Sequence, residues 1–267
     1  ACTAAEVGCN TFLLEKSNEL GGLASLISKI PAKNRLADFP HYLMHRAEQL
    51  DNLYIFKNTE GTPENIRKFH PNIIVSSTGS APLLPPIAGL KDRIDNEKHN
   101  IYSILGMISH INDFPKDLEG KKVVVVGGGA VGLDVVEFFA DRNADISIVE
   151  MMDQIGRDLD PVSKNDTKTM MKKHNVHQLT KTALLEVKDS SFLVRGDGEP
   201  YELPFEYGFV CLGMRAQGQL YQNLTEEFSS EDVEIMNIGD SQRARRIIDG
   251  TQEGRNILTI LEQKGYL

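Results

Sequence analysis

Cysteine is scarce in this chain. Its 267 residues include Cys2, Cys9 and Cys211, and no two of these form a CxxC or CxxxxC pair. A redox-active disulfide, an iron–sulfur cluster or a zinc site cannot be built from them alone. Three isolated cysteines fit a reducing cytoplasm, where each is expected to be a small buried apolar residue. Long apolar runs are missing too. None approaches the roughly 18 residues that a membrane span requires, so no membrane partner is expected. Basic charge falls short of acidic, with 29 Lys and Arg against 38 Asp and Glu, for a net charge of −9 and a pI near 5.3. Nucleic acid would be repelled by that balance. The opening ACTAAEVGCNTFLLEK has no cationic start and no cleavable apolar core, so it does not read as a signal peptide. GxSxG and HExxH are absent as well, and no catalytic acid, base, nucleophile or metal site is assigned.

What the chain has is concentrated in Lys121 to Glu150, KKVVVVGGGAVGLDVVEFFADRNADISIVE. Four consecutive valines read as a strand buried on both faces, because a half-solvated strand would alternate. Gly127, Gly129 and Gly132 follow at GxGxxG spacing, within the run Gly127, Gly128, Gly129, Ala130, Val131 and Gly132. Val131 to Ala140 has the apolar spacing of a helix. A second strand, Ile146 to Val149, then ends on Glu150. Gly127 permits a tight turn, Gly129 admits a pyrophosphate to the backbone, and Gly132 lets helix and strand pack closely. The helix start offers unpaired N–H groups to phosphate, and Glu150 offers acceptors to the adenosine ribose. The expected ligand is a dinucleotide.

NADP carries an extra phosphate on the ribose that Glu150 should contact. Two unit charges about 4 Å apart repel by roughly 4 kcal/mol at an effective dielectric near 20. Met151 and Met152 follow the acid, and Arg157 is the nearest cation that could receive a phosphate. The balance favours NAD(H) over NADP.

The first residues read as the second half of another such unit. Ala1 to Val7 is a helix end closed by Gly8, and Thr11 to Leu14 is a strand ending on Glu15. The strand and glycine loop that should precede them are not in the chain, which is expected to be a segment of a longer polypeptide. Helical spacing over Arg35 to Leu50, a strand at Asn52 to Phe56 and a helix start at Thr62-Pro63-Glu64 follow. Ile73 to Val75 is another strand. Ala183 to Leu212 reads as a β-meander turning at Asp197-Gly198, and Phe209 to Gly213 closes that domain. Ile235 to Ile238 and a helix near Ile248 complete the chain. The fold class is α/β, with two nested Rossmann-like domains and a β-meander in each. Residues 1–104 and 215–267 are assigned to the first and 105–214 to the second.

This order of signals resembles the two-dinucleotide-binding flavoproteins. LLEKSNELGG (13–22), SSTGSAPLLPPIAGL (76–90) and IGDSQRARRIIDGTQEGR (238–255) more narrowly resemble the C-terminal module of 2-enoate and 2,4-dienoyl-CoA reductases, whose group includes trimethylamine dehydrogenase. Leu23 stands where that group often has glutamine, and Ala244 where proline is usual. The resemblance implies a module that takes hydride from NADH onto FAD. Electrons would then pass to a four-iron cluster and FMN on an N-terminal (β/α)8 barrel of the same polypeptide, where an enoate or enoyl-CoA is reduced. It further implies that Glu15 holds the adenosine ribose of FAD with Lys16 beside it, and that Gly21 and Gly22 line the phosphate and ribityl path. The backbone around Thr59 would meet the adenine, Thr78 and Gly79 would approach the dinucleotide from the strand end, and Gly239 with Asp240 would hold the ribityl or pyrophosphate region. Gly213 is assigned to the cofactor as well. Hydride transfer needs orientation and exclusion of water rather than an acid or base.

Two alternatives stay open: a free-standing NAD(P)H flavoreductase, and a non-catalytic ADP-binding module. Assembly into a homo-oligomer is also open. His41 and His45 stand at i, i+4, and His174 and His177 flank a helix end, but neither pair has a third ligand nearby in sequence.

Overall fold

The computed structural model describes all 267 residues. Contacts divide the chain into two compact units. The first comprises Ala1–Ser28, Lys33–Ala81 and Met214–Leu267, and the second Lys29–Ala32 and Pro82–Gly213. The first join lies at 81/82, earlier than the 104/105 expected from sequence. Packing explains the difference. Leu90 and Ile101 are fully buried in one cluster with Val124 and Phe192, and Ile101–Tyr102 is a strand of the second unit's sheet.

That sheet has five parallel strands in the order Ile101–Tyr102, Tyr207–Val210, Lys122–Val126, Asp145–Val149 and His177–Leu179. Lys122–Val126 is central, and Val123 to Val126 are all at most 3% exposed. Their alternation serves two cores. Val124 and Val126 pack with Val187, Phe192 and Val194. Val125 lies against the Ala130–Ala140 helix at Gly132, and Val123 shares that side by the period of two. On the helix side Phe139 is fully buried, with Phe209, Phe138 and Phe114 at centroid distances of 4.8, 5.0 and 5.2 Å.

The other face of the sheet is covered by three antiparallel strands, Ala183–Val187, Ser191–Arg195 and Tyr201–Pro204. They form the expected meander, with Asp197-Gly198 in the loop between the last two. The meander stops sooner than Leu212. Tyr207–Val210 returns to the parallel sheet between Ile101–Tyr102 and Lys122–Val126. Apolar alternation alone does not distinguish those two destinations.

The first unit holds only paired strands. Thr11–Leu14 runs parallel to Leu53–Phe56, Ile73–Ser76 runs parallel to Glu234–Asn237, and Ser80–Pro82 pairs with Met214–Ala216. The meander expected in this unit is therefore not found; its strands are too short and too far apart in sequence to be joined by hairpins. Ala5, Ala47 and Leu53 form one small core, and Ile74, Leu224 and Phe228 a second. The opposite face of the first pair carries Phe12, Tyr54 and Phe56, between 38 and 44% exposed. Thr62 caps the Pro63–Arg67 helix by accepting from Asn65 N at 3.2 Å, as its sequence foretells. No helix in the chain is long and apolar enough to cross a membrane.

Cys211 is 5% exposed, whereas Cys2 and Cys9 are half-buried. Desolvation pushes the Cys211 thiol up to about 12, with small contributions from Asp134 and Asp95. A thiol at that value carries almost no thiolate at neutral pH. Titration of the native chain with a disulfide reagent at pH 8 should therefore modify Cys2 and Cys9 and leave Cys211 unmodified until denaturant is added. Rapid native labelling of Cys211, read by peptide mapping, would contradict this packing.

Candidate functional site

The glycine turn sits between the Lys122–Val126 strand and the Ala130–Ala140 helix, and main-chain bonds hold it from several sides. Gly127 N–H donates to Val149 O at 2.8 Å, and Gly128 O accepts from Gly156 N at 2.7 Å. Gly127 has φ +110, and a Cβ there would stand 2.1 Å from Cys211 O. A Cβ at Gly132 would stand 1.9 Å from Gly127 O. Both positions are thus closed to any side chain by backbone rather than by flexible neighbours. Gly129 differs. Its φ is −80, and a Cβ would meet nothing within 4 Å. Open space, not internal packing, lies where its side chain would be.

The helix begins at that open point without a side-chain cap. Ala130 is exposed and Val131 half-buried, so the unpaired N–H groups of the first turn reach the surface. Glu150 closes the site. Its Oε2 accepts from Gly128 N at 2.6 Å, and its Oε1 accepts from Met152 N at 2.7 Å. Each carboxylate oxygen has two acceptor positions, so both keep capacity for hydroxyl donors. Gly156 escaped the sequence reading. Its φ of +65 and its bond to Gly128 make it the outer support of the turn; an isolated glycine in a polar loop was the available signal. Arg157 is exposed, and its side chain makes no hydrogen bond or ion pair with the protein. Gly213, at φ +102, ends the unit after Cys211 and Leu212, and its carbonyl accepts from Leu83 N at 2.9 Å.

In the first unit the chain repeats half of this device. Glu15 Oε1 accepts from Ser17 N at 2.8 Å, the same i to i+2 contact that Glu150 makes, while Glu15 Oε2 has no protein donor. Thr59 N donates to Glu15 O at 2.9 Å, which brings Thr59 beside the acid. Lys16 is exposed next to it. Gly21 at φ +102 and Gly22 at φ +51 start the Gly22–Ile27 helix, and Gly22 has open space around its missing side chain. Elsewhere in this unit Thr78 Oγ1 donates to Gln217 O at 2.6 Å, and Gly79, at φ +75, is also open. Asp240 follows Gly239 in a short turn. Its Oδ2 accepts from buried Ser80 Oγ at 2.9 Å and its Oδ1 from Arg245 N at 3.0 Å.

The paired histidines take no part. His41 and His45 are exposed on their helix, and no three His, Cys, Asp or Glu side chains converge anywhere in the chain.

The family model of pyridine nucleotide-disulphide oxidoreductases matches residues 43–236, most of the chain. An NADH oxidase of Thermoanaerobacter brockii is 26% identical over 255 residues, covering 95% of this chain and 38% of that protein. A metal reductase of Desulforamulus reducens is 26% identical over 292 residues, covering 96% of this chain and 41% of that protein. Among solved structures, a 2-naphthoyl-CoA reductase in complex with 2-naphthoyl-CoA superposes with a TM-score of 0.79 at 23% identity. It covers 95% of this chain and 37% of its own, and at that identity it speaks for the fold. The chain thus spans about two-fifths of the length of these relatives.

The glycines can be told apart by substitution. Gly129→Ala meets no atom, so it should lower stability by no more than about 1 kcal/mol, the order of an N-cap exchange. Gly132→Ala drives a methyl into a backbone carbonyl and should cost roughly 2–4 kcal/mol. Urea unfolding of the two variants measures the difference; equal losses would contradict the geometry of the turn.

Proposed function

The chain belongs to the pyridine nucleotide-disulphide oxidoreductase family, and from that premise we propose that it is the electron-entry module of a larger NADH-dependent flavin oxidoreductase. One observation carries the reading. An uncapped helix start, an open position at Gly129 and the Glu150 carboxylate converge on one turn.

Residues of the turn divide the work of holding NAD(H). The N–H groups at the start of the Ala130–Ala140 helix donate to the pyrophosphate, and the helix dipole favours its charge. Gly129 keeps the approach clear. Glu150 accepts from the adenosine ribose hydroxyls, and its charge opposes the 2′-phosphate of NADP. The open Gly129 is what such a ligand requires of this chain.

FAD is held, in the same reading, by Glu15 at its ribose, with Lys16 and Thr59 beside it. Gly21, Gly22, Thr78 and Gly79 lie along its path, and Gly239 borders it. Asp240 is at the ribityl chain. The free Oε2 of Glu15 supports this assignment, as do the open positions at Gly22 and Gly79. When bound, the nicotinamide and flavin supply the redox chemistry, and the protein contributes binding and orientation. No side chain of this chain is given a proton-transfer role.

Relatives more than twice as long as this chain support an electron acceptor elsewhere in the same polypeptide. We place there a barrel with FMN and a four-iron cluster, acting on an enoate or enoyl-CoA. A non-catalytic ADP-binding module stays as the second reading.

The intact protein should show flavin absorption bands that bleach on addition of NADH; a colourless protein holding ADP would favour the second reading. NADH should bind at least about tenfold more tightly than NADPH, since even part of a charge repulsion of a few kcal/mol suffices. Glu150→Gln should narrow that ratio, and fluorescence titration of both nucleotides would measure it. Equal affinities in the wild-type protein would refute the role given to Glu150.

A further inference from the structure

The Gly239–Asp240 turn is tied to the Ile247–Arg255 helix by a side chain that has no part in the function above. Glu253, near the end of that helix, turns its carboxylate back to the turn, and its Oε2 accepts from Gly239 N at 2.6 Å. Its Oε1 pairs with Arg245 Nη2. The backbone N–H of Arg245 in turn donates to Asp240 Oδ1 at 3.0 Å. These bonds close a circuit: Gly239 amide, Glu253 carboxylate, Arg245, Asp240 carboxylate, and the peptide joining Asp240 to Gly239.

Gly239 has φ +66, a region that glycine enters readily and other residues rarely do. Backbone freedom of that kind must be removed if the next residue is to point one way. Gly239 O accepts from Gln242 N and Arg243 N at 3.1 and 3.2 Å, which fixes the peptide that follows Gly239. Glu253 fixes the amide. A Cβ at Gly250 would stand 3.5 Å from Gly239 Cα, so the helix backbone itself lies close to the turn. The Gly239 amide and the Arg245 guanidinium together hold the Glu253 carboxyl below the usual carboxylate range, so it is ionised at neutral pH.

Resting on the flavin reading above, we propose that Glu253 is a positioning residue: it clamps the Gly239 amide and Arg245 so that the Asp240 carboxylate faces the hydroxyl groups of the flavin's ribityl chain. Each Asp240 oxygen already accepts one protein hydrogen bond. Both retain a lone pair, which suits hydroxyl donors and repels phosphate.

The test uses the intact protein, with Glu253→Gln and Glu253→Ala. Glutamine keeps an acceptor for Gly239 N–H, whereas alanine keeps nothing. Glu253→Ala should weaken FAD about 10–100-fold, the loss of a charge-assisted hydrogen bond. Glu253→Gln should restore affinity to within about fivefold of wild type. NADH affinity should be unchanged in both. Hydrogen exchange over residues 238–242 should rise in Glu253→Ala and stay near the wild-type rate in Glu253→Gln. FAD affinity of Glu253→Ala equal to wild type would overturn the proposal, as would a glutamine variant as weak as alanine. If the wild-type protein takes up no FAD, the flavin reading fails separately. The exchange rates still decide the clamp, because equal rates in wild type and Glu253→Ala overturn it.

Discussion

One carboxylate holds the second unit's turn in place. Glu150 ends the Asp145–Val149 strand and reaches across to Gly128 N while also binding Met152 N, its neighbour two residues on. Hydrogen bonds to a charged acceptor are about twice as strong as neutral ones. This one ties two loops that leave adjacent parallel strands. Gly127 N on Val149 O and Gly156 N on Gly128 O complete the attachment. The helix start can then remain uncapped, because the turn is held from the strand side. A free N–H array at a rigid position is what an anionic ligand can use.

The same physical device recurs with variations. Glu15 binds Ser17 N with one oxygen and leaves the other free. Glu253 binds Gly239 N from a helix instead of a strand end. In all three places a carboxylate fixes a main-chain amide in a loop. The two fixed on glycine, Gly128 and Gly239, are where backbone freedom would otherwise blur the geometry.

Much of this was legible from residue types. The valine run, the glycine spacing and Glu150 specified strand, turn, helix and strand in register, and the structure has them at 122–126, 130–140 and 145–149. Thr62 before Pro63 specified a capped helix. The destination of Tyr207–Val210 was not legible. Its apolar residues fit a meander as well as a parallel sheet, and the choice is made by Val123 to Val126, far away in sequence. The first join was hidden for a similar reason. Leu90 and Ile101 look like ordinary linker apolars until Phe192 and Val187 close over them. At the sites, acids at strand ends could be read directly. Gly156 and Glu253 could not, because their partners lie 28 and 14 residues away.

The two units differ sharply in how much apolar surface they remove from water. The second unit has a core on each face of its sheet, one around Phe139 and one around Val124, whereas the first has two clusters of three buried residues each, with Ile257 and Leu261 buried besides. Heat should therefore act on them in sequence, loosening the first unit while the second keeps its packing. A single melting temperature does not describe such a chain. Its calorimetric enthalpy is expected to exceed the van't Hoff value, the signature of more than one cooperative block.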